Sequence, residues 1–169
     1  MQKNNGFTLV ELIVTVAVMV IVASVAAPSM IGLFKSHKLN LAKEQMIQAL
    51  KEGRSKAAAS RALVVVCPSK IKDGDSISID KCLTNAGVAS TTDIDAFKNS
   101  NRVILANLAS GITVSGDANF VFGPTGASLQ NATNAVPKAK SIVICSDTKS
   151  KEIEVSLLGS VGLKSSGSC

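Results

Sequence analysis

The chain has 169 residues, 18 Lys and Arg against 12 Asp and Glu, and a net charge of +6. It has no Trp, no Tyr and five Phe, so its core must be built from Val, Ile, Leu and Ala. At this length one globular domain of about 110 residues is expected beyond the apolar N-terminal run described next, with no room for two.

Residues 1–6 are short and polar, with one charge, Lys3. From Phe7 to Pro28 the chain is apolar apart from a single charged residue, Glu11. About 20 apolar residues cover a bilayer core of roughly 30 Å. A carboxylate inside such a run is costly and points to function. A secretory signal would be cut after the run, where Ala23-Ser24-Val25-Ala26-Ala27 offers small residues. Glu11 fits that reading badly, and a plain anchor has no use for it. Cleavage before the run would keep the run in the mature protein.

Gly6-Phe7-Thr8-Leu9-Val10-Glu11-Leu12-Ile13 resembles the N-terminus of type IV pilins. The resemblance implies a leader removed after Gly6 by prepilin peptidase, N-methylation of the new N-terminal Phe7, and a helix that carries a Pro where Pro28 stands. Cleavage would leave Phe7 with a cationic amine near Glu11. In lipid or in a packed filament a lone carboxylate takes up a proton or finds a cation. The amine of a neighbouring subunit is the expected cation, which would make Glu11 the residue that sets axial register.

After Pro28, Leu39, Ala42, Met46, Ala49, Gly53 and Ala57 recur at helical spacing. Ala, Lys, Gln, Glu and Met dominate the stretch, and all are good helix formers. One helix is expected from about Phe7 to Ala62, roughly 80 Å long and kinked at Pro28. Residues 35–61 hold seven basic and two acidic residues. That is a solvated helix face or a positive collar beside anionic headgroups, which weakens a nucleic-acid reading of the net charge.

Leu63-Val64-Val65-Val66-Cys67, stopped by Pro68, reads as a buried strand. Ile77, Ile79 and Val103-Ile104-Leu105 are further apolar points. Strands are expected at 112–114, 120–122, 141–145 and 152–157, separated by Ser, Gly, Asn and Asp clusters. Clean alternation over Glu152 to Leu157 predicts one solvated face. Gly123-Pro124-Thr125-Gly126 is a turn signal, and the polar segment 83–101 reads as a surface loop. The expected fold is α+β and pilin-like, a long N-terminal helix packed on an antiparallel sheet. Its parts are a leader 1–6, a transmembrane or filament-core half 7–27, an amphipathic half 28–62 and a β-rich head 63–169.

Four Cys (67, 82, 145 and 169) lie in that head. An even count in an exported domain suggests two disulfides. Three pairings are possible; Cys67–Cys82 with Cys145–Cys169 is favoured because each closes a local loop. No CxxC occurs and the single His, His37, is remote from the Cys in sequence, so no metal and no cofactor is expected. Lys72-Asp73-Gly74-Asp75 lacks the further ligands of a calcium loop. No catalytic constellation stands out, and the protein is read as non-enzymatic.

The second half resembles the GspH/FimT group of minor pilins and pseudopilins, with its FimU-like and FimT-like members. Val66-Cys67-Pro68-Ser69, Cys82, Phe122-Gly123-Pro124-Thr125-Gly126 and Ile144-Cys145 carry the resemblance. It implies a low-abundance subunit in the inner membrane with a periplasmic head, which then joins a minor-pilin complex that primes the pilus and sits at its tip. Other minor pilins, the major pilin and the inner-membrane assembly platform would be its partners, in support of twitching motility, adhesion and competence. Some FimT members bind DNA through Gly-Arg-x-Arg near the C-terminus. Here that position reads Gly159-Ser160-Val161-Gly162, and only Lys164 is basic nearby. Phosphate contacts need clustered Lys or Arg, so a DNA-capture role through Lys164 is the alternative and not the favoured reading. A type II secretion pseudopilin is a further alternative.

Overall fold

The computed structural model describes residues 8–70 and 75–169, with the backbone only for 25–29 and 165–166. Two units divide the chain, residues 1–35 and 36–169. Helix α1 (Leu9–Ser60) begins at Thr8, whose Oγ1 accepts the Glu11 backbone N–H at 3.3 Å. That hydroxyl caps a donor the first turn would leave orphaned. The helix continues through Pro28, where a kink is expected, and most of the Lys72-Asp73-Gly74-Asp75 segment lies outside the described residues.

In the second unit the eight strands among the described residues form two four-stranded sheets. The first has the order β2 (Val103–Ala106), β1 (Val64–Pro68), β4 (Phe120–Phe122) and β5 (Ser128–Leu129). The second has the order β3 (Thr113–Gly116), β6 (Lys140–Ser146), β7 (Lys149–Val155) and β8 (Val161–Ser168). Most pairs are antiparallel, but β1 and β2 run parallel, with Val65 opposite Val103 and Cys67 opposite Leu105.

That parallel pair corrects the reading of 83–101 as a surface loop. Parallel neighbours need a crossover of a dozen or more residues, usually helical. The crossover here contains α2 (Ile79–Asn85) and α3 (Thr91–Asn99). Ser78 and Ser90 cap them, accepting the Lys81 and Asp93 backbone N–H groups at 3.2 and 3.1 Å. Strand β7 also differs from expectation. It ends at Val155, and Leu157 lies beyond it, exposed in the turn to β8.

The first sheet is covered on both faces. On one side Val64, Val66, Phe120 and Phe122 pack with Leu39, Ala42, Met46, Ala49, Leu50 and Ala57 of α1. Ile142, Ile144, Ile153 and Val155 of the second sheet join the same cluster. On the other side Val65, Cys67 and Val121 pack with Cys82, Leu83, Ala86 and Phe97 of the crossover. Burial on both faces explains why β1 is a continuous apolar run rather than an alternating one. Gly53 of α1 faces β1, and a Cβ there would collide with Val66 Cγ2.

Candidate assembly segment

From Leu9 to Val22 every large apolar side chain is exposed, and none is buried: Leu9 is 73%, Met19 70% and Val14 55% exposed. Met30, Ile31, Leu33 and Phe34 are exposed as well. A helix that is apolar all round belongs inside something, a bilayer or a bundle of helices. Patches of this extent are rare on soluble monomers. Val and Ile dominate the stretch although both are modest helix formers in water. Without water a helix is still required, because every backbone group must be paired internally.

Its polar side chains are accounted for within the helix, with one exception. Thr15 Oγ1 donates to the Leu12 carbonyl at 2.8 Å and Ser24 Oγ to the Ile21 carbonyl at 2.7 Å. Glu11 projects from the first turn, where a carboxylate is favoured by the helix dipole. Among the described residues no cation pairs with it. Gly6 and Phe7, the expected cleavage junction, lie outside the described residues. Among the described residues no helix is long and apolar enough to cross a membrane. Described side chains in this run stop at Ser24 and resume at Met30, short of the about 20 residues that a span takes.

Residues 1–27 match the family of the prokaryotic N-terminal methylation motif. The motif thus covers the candidate junction, Glu11 and most of the apolar run. Beyond it, the chain is similar to two crystal forms of the type IV minor pilin FimU from Pseudomonas aeruginosa. One comparison has 14% identity and a TM-score of 0.47, over 79% of this chain and 92% of that one. In the other the values are 15% and 0.45, over 75% and 93%.

In the head, disulfides join Cys67 to Cys82 and Cys145 to Cys169, with Cα atoms 6.1 and 6.0 Å apart. The first ties β1 to α2, and the second ties β6 to the end of β8. Lys164 on β8 pairs with Glu152 of β7 at 3.5 Å. Gly159 closes the β7–β8 turn with φ +77, and a Cβ on it would collide with the Gly126 carbonyl. A Cβ on Gly126, itself at φ +80, would stand 3.3 Å from Arg54 Cγ. The Gly-Pro-Thr-Gly turn, the β7–β8 turn and Arg54 of α1 therefore meet at one crowded point. Gly159 serves packing there, whatever the residues after it do.

Sequence reasoning missed Lys140. It is buried at the start of β6, and its Nζ donates to the Asn119 carbonyl and Oδ1, both at 2.8 Å. Burial lowers its pKa, the Asp117 carboxylate opposes that, and Lys138 adds to it. The signal was parity: 140 shares the inward side of β6 with Ile142 and Ile144.

Proposed function

We propose that this chain is a minor type IV pilin, a structural subunit made as a prepilin. Prepilin peptidase cuts after Gly6, Phe7 is N-methylated, and the apolar run holds the protein in the inner membrane with the head in the periplasm. The run then passes from lipid into the filament core, where Glu11 meets the N-terminal amine of a neighbour. The subunit joins other minor pilins to prime assembly and remains at the tip beside the major pilin. One observation carries this reading: the methylation motif overlaps a helical stretch, Leu9 to Val22, in which every large apolar side chain is exposed and Glu11 is the one carboxylate.

The test compares the wild type with Glu11→Val in its own cell. Both should fractionate with the inner membrane, and both should yield a mature chain beginning at methylated Phe7 by mass spectrometry. Glu11→Val should enter sheared filaments poorly. Equal entry would remove Glu11 from assembly. Deletion of the gene should abolish surface pili. If pili persist and only DNA uptake fails, the subunit captures DNA instead. A defect confined to secretion would make it a pseudopilin. Lys164, the basic residue beside Gly159-Ser160-Val161-Gly162, pairs with Glu152, so a phosphate approaching it would also meet a carboxylate.

A further inference from the structure

The turn between β7 and β8 has an unusual composition. Its two central residues are Leu157 and Leu158, where Gly, Pro, Asn, Asp and Ser ordinarily dominate. Leu157 is 51% and Leu158 77% exposed, and no large apolar side chain among the described residues is more exposed than Leu158. The turn itself is held firmly. The Gly159 N–H donates to the Ser156 carbonyl and the Ser156 N–H to the Ser160 carbonyl, both at 2.9 Å. The Ser156 and Ser160 hydroxyls share a bond of 2.6 Å, and the Ser160 N–H donates to Ser156 Oγ at 3.2 Å. The Ser128 N–H of β5 reaches the Leu157 carbonyl at 3.1 Å. Single exposed apolar residues are ordinary, but here two adjacent ones are carried on a turn fixed by five hydrogen bonds.

Arg54 of α1 stands against the same turn: a Cβ on Gly159 would lie 3.2 Å from its Nε. Arg54 is exposed, and among the described residues no carboxylate pairs with it. Glu52 and Glu154, the acids closest in sequence to Arg54 and to the turn, face elsewhere. Residues two apart, as Glu52 and Arg54 are, do not share a helix face. Glu154 alternates with Ile153 and Val155, which point into the core shared with α1, so it lies on the far side of β7. Lys164 of β8 already has Glu152. Two leucines and one uncompensated guanidinium therefore share a rigid corner of the head. Its complement is an apolar hollow with a carboxylate at the rim. A preset turn lowers the ordering cost of entering a shaped pocket, and fluid lipid offers no such pocket.

We propose that the Leu157–Leu158 turn, with Arg54 beside it, docks another subunit of the same filament, one whose head offers an apolar hollow rimmed by a carboxylate. That the partner is a filament subunit rests on the pilin reading of the chain. The apolar and acidic chemistry of the partner does not. The two leucines fill the hollow, and Arg54 meets the carboxylate and fixes the orientation.

The test is photo-cross-linking of the full chain in its own cells, with benzoylphenylalanine in place of Thr125, which is exposed on the neighbouring Gly123–Gly126 turn. Mass spectrometry should identify one adduct, with a second protein that carries its own methylation motif, joined through a peptide containing Asp or Glu. The same probe at Ser115, exposed on β3, should not give it. Leu157→Ser with Leu158→Ser should remove the adduct, and Arg54→Glu should cut its yield roughly tenfold or more, because like charges then face each other. Lys81→Gln should leave it unchanged. Equal membrane levels and intact disulfides in every variant show that folding is not the cause. An undiminished adduct in the double Leu variant would overturn the surface. So would the absence of any adduct in a chain that enters sheared filaments, and the pilin reading would then stand without it. An adduct of lipid mass, or with a second copy of this chain, would overturn the proposed partner. An adduct with a protein that has no methylation motif, joined through an acidic peptide and lost in the double Leu variant, would keep the surface and overturn its filament source.

Discussion

Gly159 and Gly111 share a backbone region and differ in their surroundings. Both have positive φ, +77 and +81, but a Cβ on Gly111 meets nothing within 4 Å. An Ala at Gly111 should cost only the left-handed penalty, about 1 kcal/mol. Gly159→Ala adds a collision with the Gly126 carbonyl beneath Arg54 and should cost at least about 2 kcal/mol. Denaturant unfolding of the two variants measures the difference, and equal losses would mean the three-way contact is slack. Lys140 makes a second residue-scale case. Its ammonium sits below the ordinary 10.5, first because it is buried. Between the lowered folded value and 10.5 the unfolded chain holds a proton that the folded chain has lost. Stability therefore rises with pH across that window, and below it both states are protonated and the dependence vanishes. Lys140→Met should cost about 1–3 kcal/mol at neutral pH, because the Asn119 oxygens lose their donor. The deficit against wild type should widen as pH climbs to 10.5, and a constant deficit in unfolding titrations would contradict the shift.

Elements were legible in proportion to how much of their pattern is local. The face of α1 from Leu39 to Ala57 could be read because burial on one side of a helix imposes the three-and-four spacing that the sequence displays. Strand β1 announced itself through four consecutive β-branched and sulfur residues. Strand β8 did not. Val161–Ser168 contains Gly, Lys and Ser, and its pairing is dictated by β7, a partner it meets only after the turn at Gly159. The crossover helices were hidden by their polar composition, although Ser90 with Asp93 is a capping pair that periodicity alone overlooks. At the candidate site, Glu11 stood out because its neighbours are apolar. The disulfides belong to this scale as well. Cys67 and Cys82 are fully buried, while Cys169 is exposed. Thiol exchange depends on access, so mild reductant should open Cys145–Cys169 first, as alkylation and peptide mapping will record. Separations of 15 and 24 residues give each bond a loop-entropy contribution of about 3 kcal/mol. Replacing Cys67 and Cys82 together with Ala should lower stability by that amount or more. Simultaneous opening of both bonds would show that the β1–α2 junction breathes more than its burial implies.

For the whole molecule, one helix carries an exposed apolar stretch and a buried one, and the boundary between them can be found from burial. Every large apolar residue described before Lys35 is exposed, whereas Leu39 is the first to be buried, and Ala42, Met46, Ala49 and Leu50 follow it into the core of the head. The second half of α1 is therefore a structural part of the head and the first half is not. A protein beginning at Ser36 should be monomeric and unfold within about 0.5 kcal/mol of the full chain, since the deleted side chains contribute no burial to that core. A protein beginning at Lys51 loses all five of those residues. Truncating one buried Leu or Met to Ala already costs about 2–5 kcal/mol, and a domain has only about 5–15 kcal/mol in total. The shorter protein should then lack a cooperative unfolding transition even with both disulfides formed. Calorimetry of the two truncations decides the matter. A cooperative transition in the shorter one would mean that the two sheets and the crossover helices close a core of their own, and that α1 docks on a head already folded.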